Sequence, residues 1–286
     1  MTVLVLQKLI PKVGDTIGRY HLREQVGKGG FGVVFRATQA GLDEDVAVKV
    51  LRPHVVAKPE ICQRFEREVR VAKGLRHPNS TRVLDAGQTE AGLPFYVMEY
   101  LECRSLAQVL RAEGAFTAER TRRIALQVLK SLGEAHSRGV IHRDLKPSNI
   151  MLCDIYGEDD FVKVLDFGIA KALVLSDEDD SETQTGQVLG TPRYMSPEQA
   201  RGQAIDPRSD LYSVGLLLAE CVGGVPLVQG ESSVEIMFQH TSPAPLILPP
   251  VVTKNPLAEV IRKAIRKQVD SRYLNADEMR AALVQL

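Results

Sequence analysis

His142-Arg143-Asp144-Leu145-Lys146-Pro147-Ser148-Asn149 is the stretch on which the reading turns. It sets a base, an acid, two cations and an amide on one short run, directly after the apolar Gly139-Val140-Ile141. Pro147 cannot continue a helix, so the run is a rigid loop. A chance occurrence of these residue types in this order is very improbable, and a purely structural role is set aside on that ground.

Downstream, Val162-Lys163-Val164-Leu165 reads as a strand and runs into Asp166-Phe167-Gly168. A carboxylate at a strand end beside a glycine suits a metal ligand. Asn149 and Asp166 are both hard oxygen donors of the kind Mg²⁺ prefers.

Upstream, Gly27-Lys28-Gly29-Gly30-Phe31-Gly32 matches a glycine-rich phosphate pattern. In a dinucleotide-binding fold the third glycine would open a helix. Here it opens Val33-Val34-Phe35, which reads as a strand, so the glycines sit in a hairpin whose bare backbone N–H groups can approach phosphates. No GxxxxGK[ST] loop occurs anywhere in the chain. Strand alternation in Val46-Ala47-Val48-Lys49-Val50 puts Ala47 and Lys49 on one face and the valines on the other. A charge in so apolar a strand needs a partner or a ligand. A small alanine beside it leaves room for a flat ring. Glu68 lies on the helix that follows.

Strands are expected at Tyr20–Val26, Val33–Thr38, Val46–Leu51, Arg82–Ala86 and Phe95–Leu101. Pro59 to Leu75 reads as one helix with Ile61, Phe65, Val69 and Ala72 on its apolar face. Beyond Ser105 the texture becomes helical: Thr117 to His136, a nearly all-apolar Leu211 to Val222, Leu257 to Gln268 and Ala276 to Leu286. The expected division is an extension over residues 1–17, a strand-rich lobe over 18–101 and a helix-rich lobe over 102–286.

The chain has 286 residues, 44% of them hydrophobic and 25% charged, which excludes a disordered or collagenous protein. Lys+Arg and Asp+Glu are 36 each, so no global basic field draws it to nucleic acid or an anionic membrane. The apolar N-terminal stretch Val3–Ile10 is broken by Gln7 and Lys8 and is too short to span a bilayer. Cys62, Cys103, Cys153 and Cys221 are far apart without a CxxC pair, and are expected to be reduced, structural thiols. The acidic run Asp177–Glu182 reads as a solvated loop.

In order, these segments resemble the protein kinase family over about Tyr20 to Leu286, and in texture the bacterial, eukaryotic-like serine/threonine kinases. Ser196-Pro197-Glu198 stands where the family has Ala-Pro-Glu, and Ser209-Asp210-Leu211-Tyr212 opens the buried helix. The resemblance implies an α+β, bilobal fold: a small antiparallel sheet with one main helix, and a larger, mostly helical lobe. It implies ATP as phosphate donor with Mg²⁺, or Mn²⁺, and protein serine and threonine hydroxyls as acceptors. Lys146 and Thr191 favour those acceptors over tyrosine.

The resemblance assigns roles residue by residue. Val26, Gly27, Lys28, Gly29, Gly30, Phe31 and Gly32 cover the nucleotide, Val34 and Ala47 sandwich adenine, Met98 backs the pocket, and backbone groups of Glu99 and Leu101 bond the base. Lys49, oriented by Glu68, holds phosphates. Asp144 accepts the hydroxyl proton, Lys146 contacts the γ-phosphate, and Asn149 and Asp166 hold the metal. Glu198, Arg272 and Asp210 are structural. Thr183 and Thr185, between Asp166 and Glu198, are expected autophosphorylation sites, with a homodimer forming during that step. Ile169 after Asp-Phe-Gly implies a preference for threonine. The chain is expected to be cytoplasmic, or the cytoplasmic part of a longer, membrane-anchored protein. A catalytically dead binding module and a small-molecule kinase are the alternatives; the presence of Lys49, Asp144 and Asp166 speaks against the first, and Ser196-Pro197-Glu198 with Thr191 against the second. Cys103 replaces a glycine usual after the hinge, Ser80-Thr81 an apolar pair, and Pro226-Leu227 a usual Pro-Phe.

Overall fold

The computed structural model describes residues 10–53, 59–155, 157–167 and 192–286. Thr183, Thr185, Ile169, Thr191 and the acidic run Asp177–Glu182 lie outside them, as does the side chain of Ile61. The described residues form two compact units: 10–53, 59–76 and 81–101 in the first, and 77–80, 102–155, 157–167 and 192–286 in the second.

The first unit is a six-stranded antiparallel sheet, ordered β1-β2-β3-β4-β6-β5. Its strands are β1 (Thr16–Ile17), β2 (Tyr20–Lys28), β3 (Gly32–Gln39), β4 (Asp45–Leu51), β5 (Val83–Gln88) and β6 (Pro94–Glu99). Ile17 pairs with Tyr20 and is buried in the core, so this unit begins before residue 18. The β-branched runs sort by parity. Val46, Val48 and Val50 join Leu22, Phe35 and Val97 on one side of the sheet. Ala47, Leu51, Tyr96 and Met98 lie on the other, under Phe65, Val69 and Ala72 of helix α1 (Pro59–Ala72). A three- and four-residue spacing puts those three side chains on one helix face.

The second unit carries a small sheet, β7 (Arg104–Ser105), β8 (Ile150–Ile155) and β9 (Glu158–Val164), in that order. Helices α2 (Leu106–Glu113), α3 (Ala118–Ser137), α4 (Pro197–Ala200), α5 (Pro207–Gly223), α6 (Ser233–Thr241), α7 (Pro250–Thr253), α8 (Ala258–Ala264) and α9 (Ala276–Val284) make up the rest. Thr117 caps α3 by accepting from Arg120 N–H, as Asn275 caps α9 by accepting from Glu278 N–H. In α5 every residue from Ser209 to Val222 is buried. Its Gly215 has no room for a side chain: a Cβ there would come within 2.7 Å of Ala264 and Ile265, so α5 and α8 pack at backbone contact. Among the described residues no helix is long and apolar enough to cross a membrane.

Two expectations need correction. The helix expected over Leu257 to Gln268 ends at Ala264. The carbonyls of Arg266 and Lys267 accept from the Arg272 guanidinium at 2.7 and 3.1 Å instead of continuing the helical ladder. Cys103 and Cys153, expected to be reduced thiols, form a disulfide. The antiparallel register pairs Arg104 with Leu152 and so sets Cys103 beside Cys153, although they stand 50 residues apart in sequence. Cys221 is a free, buried thiol, and burial pushes its pKa up.

Candidate active site

The nucleotide-type motifs all fall in the first unit. The register Val34↔Lys49↔Tyr96 and Arg36↔Ala47↔Met98 puts Val34, Ala47, Lys49 and Met98 on the sheet face that carries α1. Ala47 and Met98 are buried there, with Val34 packed against them. Lys49 is half-buried, its Nζ 5.7 Å from the centroid of the Tyr96 ring. Glu68 is half-buried on α1.

The glycine-rich turn is tied down at its base. Gly29 N–H donates to Gly32 O at 2.9 Å, Arg52 N–H donates to Phe31 O at 3.0 Å, and Arg52 Nε donates to Gly29 O at 2.9 Å. A Cβ on Gly32 would lie 2.6 Å from the Val50 carbonyl oxygen, so only glycine lets β3 and β4 close there. A Cβ on Gly29 would meet nothing within 4 Å, so there is open space beside the turn at this position. At the far end of the sheet face, Glu99 N–H donates to Arg82 O at 3.1 Å and its carboxylate accepts from Arg82 N–H at 2.8 Å, which fixes the chain as it enters Tyr100-Leu101.

The second unit holds the loop His142–Asn149, and it is braced from below by Asp210. Asp210 sits at the start of α5 and is 1% exposed. Its carboxylate accepts from His142 N–H at 2.8 Å and Arg143 N–H at 2.9 Å, and pairs with His136 Nε2 at 2.8 Å. Burial alone would raise its pKa, but the bonds from His136 and the loop outweigh that and hold it below the ordinary carboxylate value. His142 is fully buried, bonds Leu165 O through Nε2 at 2.8 Å and packs against the Phe167 ring at 5.1 Å. Burial lowers its pKa, so it is a neutral strut rather than an acid or base near pH 7.

Asp144 emerges from this frame only partly covered. Lys146 Nζ donates to its Oδ2 at 2.8 Å. Asn149 Nδ2 donates to its backbone oxygen at 2.8 Å and to Oδ2 at 3.3 Å. The amide of Asn149 is thereby oriented with its oxygen turned away from Asp144. Asn149 O also accepts from Leu165 N–H at 2.8 Å, and Ile150 pairs with Val164. Asn149 and Asp166 therefore stand at the same end of the β8–β9 pair. Asp166 has φ +51, a left-handed conformation uncommon for a residue with a side chain. An amide oxygen and a carboxylate on neighbouring strand ends fit a divalent cation that keeps several waters and phosphate oxygens as its other ligands. A carboxylate, an ammonium and an oriented amide converging on one point suit removal of a hydroxyl proton next to a polyanion.

Glu198 and Arg272 form a two-pronged buried pair, 2.7 and 2.8 Å, with Ser209 Oγ donating to the same carboxylate at 2.6 Å. Sequence reasoning missed His136, Gln199, Ser209 and the disulfide. For Gln199 a signal existed: Ser196-Pro197-Glu198-Gln199 follows the Ser-x-x-Gln pattern of a helix start.

A sequence profile described as the protein kinase domain matches residues 20–280. The chain is 43% identical over 279 residues to the serine/threonine-protein kinase pkn3 of Myxococcus xanthus, covering 95% of this chain and 50% of that protein. It is 42% identical over 275 residues to the serine/threonine-protein kinase PknB of Mycobacterium tuberculosis, covering 94% and 43%. The chain thus spans about half the length of these curated relatives. The crystal structure of the M. tuberculosis PknI kinase domain superposes with a TM-score of 0.74 at 26% identity, covering 96% of this chain and 98% of that one.

Proposed function

The chain belongs to the protein kinase family, and we propose that it transfers the γ-phosphate of ATP to serine and threonine hydroxyls of proteins, itself included. The observation that carries this is the Asp144 carboxylate, met at Oδ2 by Lys146 at 2.8 Å and Asn149 at 3.3 Å. Asp144 accepts the proton of the attacking hydroxyl. Lys146 supplies positive charge where the γ-phosphate stands. Asn149 and Asp166 would hold Mg²⁺, or Mn²⁺ in its place, and the ion when bound neutralises charge on the phosphates.

In the first unit the turn Val26–Gly32 presents backbone N–H groups to the phosphates. Val34, Ala47 and Met98 give the adenine an apolar surface, and backbone groups of Glu99 and Leu101 meet its edge. Lys49 holds the α- and β-phosphates. Glu68 orients Lys49 in the nucleotide-bound protein. Positioning and charge neutralisation account for most of such catalysis, which fits the backbone bonds that hold the glycine-rich turn and the loop around Asp144.

Thr183 and Thr185 are the sites of autophosphorylation, carried out between two copies of the chain. A phosphothreonine there adds nearly two negative charges for an arginine such as Arg143 to meet. Neither nucleic acid nor membrane is a partner of these residues, and the chain works in the cytoplasm, free or as part of a longer, membrane-anchored protein. Transfer of radiolabelled γ-phosphate to a protein substrate tests the reading, with Asp144→Asn as control. Label in the wild-type chain and none in the variant is expected. Equal labelling of the two would refute the role of Asp144.

A further inference from the structure

One amide makes two connections at the start of α4. Ser196 to Gln199 form a reciprocal cap: Gln199 N–H donates to Ser196 Oγ at 3.3 Å, while Ser196 N–H and Oγ–H donate to Gln199 Oε1 at 3.0 and 3.2 Å. That use of Oε1 fixes which way the amide faces. Its other end, Nε2, donates to the backbone oxygen of Arg143 at 2.9 Å. A glutamate serves a capping box as well as a glutamine. A carboxylate, however, has no donor to offer and would face the Arg143 carbonyl oxygen with like charge. The helix start therefore does not select glutamine; the Arg143 oxygen does.

What that oxygen belongs to gives the bond its meaning. Arg143 has φ +64, a conformation that persists in a side-chain-bearing residue only where its surroundings over-determine it. Its N–H is held by Asp210 at 2.9 Å and its C=O by Gln199. The peptide unit that follows joins Arg143 to Asp144. Its oxygen is held by Gln199. Its N–H, that of Asp144, donates to His142 O at 2.8 Å and to His142 Nδ1 at 3.3 Å. The plane that carries Asp144 is clamped at both ends, with the Gln199 side chain holding its oxygen.

We propose that Gln199 is a positioning residue for phosphoryl transfer: it fixes the Arg143–Asp144 peptide plane and, through it, the carboxylate that takes the hydroxyl proton. The proposal rests on the role of Asp144 given above. It ties the Ser196–Gln199 turn to turnover by one bond, separately from the turn's own stability.

Two variants of the full chain test it. Gln199→Glu keeps the acceptor that caps α4 and loses the donor to Arg143. Gln199→Met loses the donor, and the cap acceptor with it, without adding charge. With a protein substrate, kcat should fall about tenfold in both, between the effect of one lost hydrogen bond and that of a displacement of about 1 Å. KM for ATP should stay within about twofold, and both variants should stay folded, with a cooperative thermal transition. Wild-type kcat in both variants overturns the proposal, as does a loss in Gln199→Glu alone, which would mark charge rather than a missing donor. Parallel changes in kcat, KM and thermal midpoint would mark a structural role and overturn it too. A wild-type chain that transfers no phosphate would contradict the functional reading itself, and the proposal with it.

Discussion

Arg272 grips Glu198 with two parallel N–H···O bonds in a pocket where the arginine side chain is fully buried and the glutamate is 7% exposed. The same guanidinium also bonds the carbonyls of Arg266, Lys267 and Arg208, so it ties α4 to the first turn of α5 and to the chain just after α8. Burial opposes the charge on Glu198, but the Arg272 and Ser209 bonds outweigh it and hold the pKa at about 2, against an ordinary 4.5.

A depressed carboxylate pKa has one sign of consequence. The unfolded chain takes up the proton first as pH falls, so the stabilisation is fully present above about pH 4.5 and is lost on the way down to about pH 2. A difference of that size corresponds to about 3 kcal/mol. Asp210, also depressed, acts in the same direction. Chemical denaturation at stepped pH should show this loss. Glu198→Gln should start about 3–5 kcal/mol lower at neutral pH, because it leaves the buried Arg272 without its counter-charge, and should then decline less. An equally steep decline in the variant would show that Glu198 is not its source.

Reducing the Cys103–Cys153 disulfide should destabilise the chain. It closes a loop of sequence separation 50, and chain-entropy reasoning gives about 4 kcal/mol for that length. The urea midpoint should fall when a dithiol is added. A Cys103→Ser, Cys153→Ser double variant should match the reduced protein and ignore the dithiol. An unchanged midpoint on reduction would contradict the bridge.

Lys49→Met should lower phosphate transfer about 10²-fold or more while the fold persists. Lys49 lies half-buried beside Ala47 and over Tyr96, where a methionine keeps the apolar contact and drops the charge. Turnover near the wild type, with a normal thermal midpoint, would refute the role given to this lysine.

No strong demand for arginine upstream of the acceptor is expected. On the resemblance to the protein kinase family, the two positions that carry acids in arginine-selecting members correspond to Ser148 and Ser105, with Glu102 close to the second. Ser105 is engaged as the cap of α2, accepting from Gln108 N–H at 3.2 Å, and Ser148 is exposed on the 3₁₀ turn Pro147–Asn149. Neither offers a guanidinium the paired oxygens of a carboxylate, a loss of roughly 1.5–3 kcal/mol. Oriented peptide libraries should show a weak upstream preference; a dominant arginine two or three residues before the acceptor would contradict this.

Where the chemistry is local, the sequence was legible. The parity of Val46 to Val50 alone separates the two faces of β4, and the structure sorts these residues as that parity requires. The unbroken apolar run in α5 likewise reads as a helix buried on all sides. Contacts between distant segments left no local mark. Cys103 meets Cys153 only because a two-residue strand, Arg104–Ser105, adds to β8. His136 reaches Asp210 from another helix. Helix α6 escaped the periodicity test because Val234 and Phe238 face outward, 75% and 70% exposed, and blur its apolar stripe. Gln199 was hidden by ambiguity: its cap reads equally well with glutamate, and only the Arg143 oxygen tells the two apart.

The most direct test of the central claim is the intact mass of the expressed chain, before and after phosphatase, beside the Asp144→Asn variant. The account predicts phosphate-sized increments on the wild type that phosphatase removes, mapping to Thr183 and Thr185, and a single unmodified mass for the variant. An unmodified wild type that also fails to label a protein substrate, or a variant carrying the same increments, would contradict it.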